Sequence, residues 1–484
     1  MKDFLKNNWQ IILFEVLVIT AFSIFYGKFG DMFVDSFREA YIPWQMNEGK
    51  CLYKDIFCIY PPLAYMVNAI LFKIFGEDIS VLYLMGLLTT MGIFFLTYKI
   101  SDIFLNKYTT FGILSFILAG LVLSPNVFNS FFPYSYGMIY GLLFAIGSIY
   151  FLINKKYPPA YLLYSLAICS KYEFILLLPL LIFVTKKVDW KKNLAALLLP
   201  PVIILAGLIL TGTGFENIKT SVNLVGIMGQ TDALHFFYSS MGLVFRWEHL
   251  PLYLINFLKF ILPFNWNLYQ EVIMWVFPLI LILFLIRNKT LDYKEKIFIA
   301  AALIVSIKVF FALTIQSYGV YFLPFALIAF GILTPKKIRL YYGTLLIIWS
   351  VIIGFQNCNS LCNKDFSELY KTADYISTTS DKSTAAVYPE GLGVNFLSKR
   401  QSDSKFYSLI PLYVETFGEN IIINRLNLTK PEYIVINDFD TSAYYFKSFG
   451  EDYAKEIFNW IKQNYTLEKR IEGKHSFDIY KLNV

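Results

Sequence analysis

Long apolar segments recur along most of this chain, and they constrain its fold more than any other feature. A helix needs about 20 mostly apolar residues to cross a bilayer. Segments of roughly this kind, some of them shorter, lie at 9–27, 79–99, 108–124, 134–153, 158–170, 172–185, 193–211, 268–286, 297–315, 318–334 and 340–356. The pattern predicts a multi-pass α-helical membrane protein with about 11 spans.

The charge content supports the same class. Hydrophobic residues make up 57% of the 484 residues and charged residues 16%, whereas soluble domains carry about 25% charged residues. The net charge of +7 comes from lysines in short loops between the apolar segments, not from one basic face. This distribution reflects membrane topology, so we expect membrane lipids and no nucleic acid as partners.

The basic residues also predict the orientation in the membrane. The apolar stretch 61–75 is short and contains Lys73, so we expect it to lie at the interface without crossing. With the N-terminus inside, the inner loops are then basic, while the outer loops 125–133 and 316–317 contain no basic residue. This is the positive-inside pattern. It predicts a plasma (inner) membrane protein with a cytoplasmic N-terminus and an external C-terminus.

Two parts of the chain are distinguished by composition. Residues 1–356 are expected to form the transmembrane domain, with external loops at 28–78 and 212–267. Residues 357–484 have ordinary polarity and are expected to form a small external α/β domain. Strand patterns occur at Ala385–Tyr388, Tyr433–Asn437 and Phe477–Leu482, and helical periodicity occurs at 363–376, 411–424 and 450–464.

Four of the five cysteines fall in the parts expected outside. Cys51 and Cys58 lie in the first loop, and Cys358 and Cys362 follow the last span. Each pair is compatible with a disulfide in an oxidising compartment or with two free thiols. Neither spacing stands beside histidines at ligand distance, so no structural metal site is predicted.

The first external loop has the highest density of chemically active residues. If 33–47 forms a helix on the outer surface, Phe33, Phe37, Tyr41 and Trp44 follow one apolar stripe suited to the lipid headgroups. Asp35, Arg38 and Glu39 share the opposite face. Such a carboxylate can serve as a general base and the guanidinium can bind a phosphate. A plain surface ion-pair face is the alternative reading of the same triplet.

The same loop resembles that of a known superfamily. The acid-containing helix, the Gly49-Lys50-Cys51-Leu52-Tyr53-Lys54-Asp55 turn and the Tyr60-Pro61-Pro62-Leu63 sequence are similar to the first external loop of the GT-C glycosyltransferases. These include protein O-mannosyltransferases and lipid A aminoarabinose transferases. The resemblance covers the whole architecture, but at the level of motifs it is confined to residues 31–76.

The resemblance implies roles for individual residues. Asp35 matches the catalytic acid of the loop, Glu39 a second acid, and Arg38 the basic residue near the donor phosphate. Tyr60 stands where the aminoarabinose transferases have a lysine before Pro-Pro, and the next outer loop, Ser124–Pro133, lacks the acid found in many members. The donor phosphate must therefore be bound without that lysine, and Tyr60 is assigned to this contact. A second carboxylate must come from elsewhere in the chain or be dispensable.

Further substrate-binding candidates lie outside this loop. Lys171 is placed at the outer junction of the fifth and sixth segments, and Lys308 in the outer half of the ninth. An ionisable residue within a span is costly and therefore a functional candidate, although snorkelling to the interface is the structural alternative. The loop 212–267, which contains His235 and Arg246, would close over the donor. Its histidines are compatible with metal binding or with a plain interfacial position.

The resemblance implies a sugar transferase. Its donor would be a polyprenyl-phosphate-linked sugar, its acceptor a lipid, glycan or protein hydroxyl on the outer face, and its stereochemistry inverting, as in cell-envelope glycosylation. Divalent-cation dependence varies in the superfamily, so no cofactor is certain. The alternatives are a polysaccharide polymerase or ligase with a diphosphate-linked donor, and a lipid or sugar transporter. A transporter would place its ionisable residues near the bilayer midplane, whereas this chain concentrates them in outer loops.

Overall fold

A computed structural model describes residues 2–31, 33, 35–186, 190–228, 279–311, 316–379, 384–444 and 446–483. Helices dominate the described residues up to 362. In this part the α-helices are Lys2–Ile24, Asp35–Asn47, Leu63–Phe75, Ile79–Phe104, Lys107–Ile117, Tyr136–Ile153, Tyr157–Ser170, Leu178–Thr185, Trp190–Leu210, Phe215–Met228, Tyr293–Phe311, Leu323–Leu333 and Arg339–Cys362. A π-turn at Leu118–Val122 and 3₁₀ turns at Tyr172–Leu177 and Gln316–Phe322 extend three of them.

Among the described residues, four helical segments are long and apolar enough to cross a membrane. They are Ile79–Phe104, Tyr136–Ile153, Trp190–Leu210 and Lys336–Thr378, the last containing the helix Arg339–Cys362. Several predicted spans correspond to shorter apolar helices, such as Tyr318–Leu333. The predicted number of about 11 spans therefore stays a prediction. The predicted span 268–286 lies mostly outside the described residues.

Local sequence signals account for several helix boundaries. Asp78 accepts a hydrogen bond from the backbone N–H of Ser80 (2.8 Å) at the start of Ile79–Phe104. Asn106 accepts one from Thr109 in the same way. Both are N-caps, which satisfy donors that a helix start leaves open. The helix Leu63–Phe75 has 13 residues, hence about 20 Å of length, which is too short to cross a core of about 30 Å.

The helix Asp35–Asn47, here called the loop helix, is buried although it follows a turn outside the first long helix. The turn depends on Gly30, whose φ of +94° favours glycine. A side chain there would also meet Phe132 and Ser36. The Ser36 hydroxyl donates to the Phe132 carbonyl (3.1 Å), so the turn, the loop helix and the segment 124–135 are joined.

Residues 367–483, here called the C-terminal domain, form a mixed α/β region with a four-stranded sheet. Its strands are β1 (Ala385–Tyr388), β2 (Tyr433–Asn437), β3 (Tyr465–Ile471) and β4 (Phe477–Leu482), in the order β1-β2-β4-β3. β1 and β2 are parallel, with Ala385 opposite Tyr433, and the other pairs are antiparallel. The helices are Ser367–Thr379, Leu392–Ser398, Pro411–Phe417, Glu419–Thr429 and Lys455–Asn464.

The apolar stripe of the loop helix faces this domain, which corrects the headgroup interpretation. Phe37 and Trp44 contact Phe396, with ring centroids 6.5 and 6.2 Å apart. Tyr41 contacts Tyr407, and its hydroxyl accepts a hydrogen bond from the Ser402 backbone N–H (2.8 Å). An apolar stripe shows only that something apolar covers it, and here the covering surface is protein.

Two lysines join the segment just before this domain to the turn after the first helix. Lys28 Nζ donates to the Lys364 carbonyl (2.6 Å), and Lys364 Nζ donates to the Gly30 carbonyl (2.7 Å). Burial lowers the pKa of Lys364 to about 8. The helix Arg339–Cys362 runs six residues beyond the predicted boundary at 356, so the two-domain division stays a prediction.

Candidate active site

The predicted triplet on the loop helix forms one charged cluster. The Arg38 guanidinium donates through Nη1 to Asp35 Oδ1 at 3.1 Å, and its Nε lies 3.5 Å from Glu39 Oε1. The three side chains differ greatly in exposure, at 43% for Asp35, 7% for Arg38 and 0% for Glu39. Only the Asp35 carboxylate is therefore readily reached by a water-borne molecule.

Arg38 is fixed from two sides. Its Nη2 donates to the Tyr134 carbonyl at 2.7 Å, and its guanidinium carbon lies 4.5 Å from the centre of the Tyr60 ring. Burial would lower the pKa of Arg38, but the tyrosines Tyr60 and Tyr65 and the two acids raise it well above its ordinary value. Arginine has five N–H donors, and its hydrogen bonds to Asp35 and Tyr134 leave donors for a ligand oxygen.

Glu39 is held inside the protein. Its Oε1 accepts a hydrogen bond from the Tyr65 hydroxyl at 2.9 Å, and its Oε2 accepts one from the Tyr136 backbone N–H at 2.8 Å. Tyr136 is the first residue of the helix Tyr136–Ile153, so the carboxylate caps a helix N-terminus. Burial raises the pKa of Glu39, opposed by Arg38 and by the two hydrogen bonds.

Lys171 joins this cluster from another part of the chain. Its Nζ lies 4.7 Å from the centre of the Tyr60 ring and 5.0 Å from that of Tyr134. Its side chain is buried, at the break between the helix Tyr157–Ser170 and the turn Tyr172–Leu177. Two cations therefore meet at one tyrosine ring, an arrangement stabilised by cation–π attraction. Tyr60 itself has a pKa raised by burial to about 12.

The remaining predicted residues are not brought to this cluster by the described structure. Lys308 lies within the helix Tyr293–Phe311, but its side chain is outside the described part of the chain. His235 and Arg246 also lie outside the described residues. Glu173, next to Lys171, accepts a hydrogen bond from the Tyr318 hydroxyl.

Sequence reasoning missed one acid near this cluster, Glu390 of the C-terminal domain. It is buried, its Oε1 accepts a hydrogen bond from the Ser408 hydroxyl at 2.9 Å, and burial followed by the charge of Asp35 raises its pKa well above the ordinary range. Its only sequence signal is a Tyr-Pro-Glu-Gly turn directly after a predicted strand. That signal says nothing about a partner some 350 residues earlier in the chain.

The structure shows the state of the cysteines and of the possible metal ligands. All five cysteines are free, and Cys51 donates to the Thr211 carbonyl. Within the ranges that the structure describes, no group of three or more His, Cys, Asp or Glu side chains is arranged to hold a metal ion.

Comparison with solved structures identifies the fold of the chain. ArnT from Cupriavidus metallidurans, an aminoarabinose transferase solved bound to undecaprenyl phosphate, superposes with a TM-score of 0.56 at 11% identity, covering 98% of each chain. The chain has the GT-C fold. The resemblance predicted from residues 31–76 is therefore confirmed at the level of the fold, together with its helical membrane-protein class.

Oligosaccharyltransferase structures give the same result. That of Archaeoglobus fulgidus without ligand matches with a TM-score of 0.52 at 11% identity, covering 89% of this chain and 70% of the other. The same protein tethered to an acceptor peptide containing the NVT sequon matches with a TM-score of 0.52 at 11% identity, covering 100% and 75%. No family model and no curated protein sequence matches the chain.

Proposed function

We propose that this GT-C chain transfers a sugar from a polyprenyl monophosphate carrier to an acceptor hydroxyl at the outer membrane face. The proposal rests on one cluster that combines an accessible carboxylate with buried positive charge. A half-exposed carboxylate, Asp35, lies 3.1 Å from a buried guanidinium, and the Lys171 ammonium contacts the same Tyr60 ring as that guanidinium. Such a cluster offers a base to an acceptor and positive charge to a phosphate.

The proposed reaction is a single displacement. Asp35 takes the proton of the acceptor hydroxyl while that oxygen forms the new bond to the anomeric carbon of the sugar. The bond from the anomeric carbon to the phosphate oxygen breaks, and its electron pair leaves with the polyprenyl phosphate. Attack opposite the leaving group inverts the anomeric centre. Arg38 and Lys171 stabilise the negative charge that develops on the phosphate.

The other predicted residues keep narrower roles in this proposal. Glu39, with both oxygens already bonded, positions Arg38 and the helix Tyr136–Ile153. Tyr60 holds the two cations together through its ring. Lys308, His235 and Arg246 remain predicted donor-binding residues, and a divalent cation remains a possible cofactor of the proposed reaction. The ArnT relative solved with undecaprenyl phosphate supports the choice of carrier.

Asp35→Asn tests the proposal. The amide keeps the size of the side chain and removes the base, so transfer from a radiolabelled polyprenyl-phosphate sugar should fall by about 100-fold or more. Because the carboxylate is half exposed, the free energy of unfolding should change little. The matched control is Asp374→Asn, at an exposed position of the C-terminal domain, which should retain full transfer.

Two results would contradict the proposal. Unchanged transfer in Asp35→Asn would remove the assigned base. Transfer by the unmodified chain from a diphosphate-linked donor, but not from a monophosphate-linked one, would instead favour the polymerase or ligase alternative.

A further inference from the structure

A surface cavity of about 440 Å³ lies where the turn after the first long helix meets the start of the C-terminal domain. One wall contains Gly27 and Lys28, which follow the helix Lys2–Ile24. The other wall comes from the segment 365–371, which follows the helix Arg339–Cys362. The cavity shares no residue with the candidate active site, so it is a separate candidate binding site.

Hydrogen bonds hold the two walls of this cavity together. Lys28 Nζ donates to the Lys364 carbonyl (2.6 Å), and Lys364 Nζ donates to the Gly30 carbonyl (2.7 Å). On the second wall, Asp365 accepts hydrogen bonds from the Ser367 backbone N–H (3.0 Å) and from the Ser367 hydroxyl (3.1 Å). The cavity is therefore a preformed feature of the fold, and a ligand would not have to order its walls.

The cavity lies at the level expected for lipid headgroups. The helices Lys2–Ile24 and Arg339–Cys362 both pack against the π-turn Leu118–Val122, so they are neighbours. Each exposes apolar side chains toward the end that leads to the cavity, since Ile24 is 66% exposed and Phe355 is 78% exposed. Exposed apolar surface of this kind is suited to lipid tails. A lipid lying along the two helices would therefore place its headgroup at the cavity.

The charged residues of the lining match the chemistry of a phosphodiester. Lys28 and Lys371 contribute two ammonium groups and Asp365 contributes one carboxylate, so the lining has one positive charge in excess. A phosphodiester carries a single negative charge, which this excess complements. Lys28 uses one of its three N–H donors for the Lys364 carbonyl, and Lys371 is exposed. Both ammonium groups can therefore donate to phosphate oxygens.

Aromatic rings complete the lining of the cavity. Phe366 and Tyr370 contribute ring surface, and Tyr370 is 48% exposed. Tyrosine is enriched at membrane–water interfaces because its ring is apolar and its hydroxyl is polar. These rings suit the glycerol and the first methylene groups of a lipid, which a soluble phosphate ion lacks. The lining therefore favours a lipid over a free phosphate.

We propose that this cavity binds the headgroup of an anionic glycerophospholipid of the phosphatidylglycerol kind, with Lys28 and Lys371 at its phosphodiester. The acyl chains lie along the helices Lys2–Ile24 and Arg339–Cys362. Because the two walls belong to the turn after the first helix and to the start of the C-terminal domain, the bound lipid holds that domain at the membrane surface. This role is separate from the proposed transfer reaction.

Lipid titrations followed by native mass spectrometry test the site on the full chain in a neutral detergent. The unmodified chain should bind phosphatidylglycerol about fivefold more tightly than phosphatidylcholine, in which a trimethylammonium group balances the phosphate charge. Lys371→Gln should weaken phosphatidylglycerol binding by about fivefold, because one lysine at a membrane surface contributes about that factor. Lys28→Gln combined with Lys371→Gln should weaken it by about 20-fold.

Controls separate this site from general electrostatic attraction and from the donor site. Lys371→Gln is the decisive variant because Lys371 is exposed, whereas Lys28 also donates to the Lys364 carbonyl. Lys371→Arg keeps the charge and should keep the affinity. The matched control Lys73→Gln removes an exposed lysine from the helix Leu63–Phe75, outside the cavity, and should leave phosphatidylglycerol binding unchanged. Undecaprenyl phosphate affinity, measured by tryptophan fluorescence, should be equal in all variants.

Four results would overturn this assignment. Equal affinity of the unmodified chain for phosphatidylglycerol and phosphatidylcholine would remove the preference for an anionic lipid. Unchanged phosphatidylglycerol binding in Lys371→Gln would remove the assigned contact, and an equal loss in Lys73→Gln would reduce it to general attraction by surface lysines. Binding of glycerophosphoglycerol, the deacylated headgroup, as tightly as the lipid would make the cavity a site for a soluble phosphodiester instead.

Discussion

Two neighbouring acids of the loop helix have opposite environments, although the sequence presents them as a pair. Asp35 is half exposed and has one oxygen bonded to Arg38, whereas Glu39 is fully buried and has both oxygens bonded. A base must reach its substrate's proton, and a buried carboxylate with two hydrogen bonds is better suited to holding structure. The two acids should therefore respond differently to the same chemical change.

Glu39→Gln should lower stability more than Asp35→Asn does. The amide keeps one acceptor oxygen, so its NH₂ group must face either the Tyr65 hydroxyl or the Tyr136 N–H, both of which donate to Glu39. A buried donor left unpaired costs about 1–3 kcal/mol. Thermal unfolding of the two variants beside the unmodified chain measures the difference. Equal stability of both variants, with transfer abolished in Glu39→Gln, would make Glu39 a catalytic acid instead.

Local patterns on the loop helix identified the acids but not their surroundings. The spacing of Asp35, Arg38 and Glu39 was sufficient to place them in one cluster, because residues three and four apart are neighbours on a helix. The same periodicity marked Phe37 and Trp44 as one apolar face. It could not show that Phe396 covers this face, because that contact joins residues far apart in sequence.

In the C-terminal domain, local sequence patterns predicted some secondary-structure elements and missed others. Three of its strands were predicted with their observed bounds. The strand Tyr465–Ile471 was missed, because it follows the helix Lys455–Asn464 without a break and only its two end residues are buried. An exposed edge strand of this kind has no apolar alternation to reveal it.

The neighbouring residues Ser402 and Asp403 join β1 of this domain to the loop helix. Asp403 accepts a hydrogen bond from the Tyr388 hydroxyl at 3.1 Å, and the adjacent Ser402 N–H donates to Tyr41. Burial raises the pKa of Asp403 from 3.8 to about 6, although the Tyr388 hydrogen bond opposes the rise. The folded state therefore binds this proton more tightly than the unfolded state does.

Asp403→Asn should remove a pH dependence of stability. Between pH 3.8 and about 6 the folded chain retains a proton that the unfolded chain has lost, so rising pH lowers the free energy of unfolding. Two pKa units correspond to at most about 3 kcal/mol. Denaturant titrations at pH 4 and pH 7 should show a smaller fall in Asp403→Asn than in the unmodified chain. Asp374→Asn, at an exposed position, should behave like the unmodified chain, and an equal fall in Asp403→Asn would contradict the assignment.

At the scale of the whole molecule, the proposed site requires a definite orientation. Asp35 and Arg38 belong to the loop helix, which packs against Phe396 of the C-terminal domain, so both parts must lie on the same side of the membrane. The lysine-rich loops predict that this side is external, while the contacts of Phe37 and Trp44 with Phe396 show only that the two parts pack together. Topology is therefore a separate, testable property.

Cys362 provides the test. It is exposed and ends the helix Arg339–Cys362, directly before the C-terminal domain. A membrane-impermeant maleimide should label it in intact cells, and Cys362→Ser should remove that label. Lys156→Cys in the Cys362→Ser background places a thiol at an exposed position of a predicted inner loop, and it should react only after permeabilisation. The reverse pattern would put Asp35 on the cytoplasmic side, where an externally directed transferase could not work.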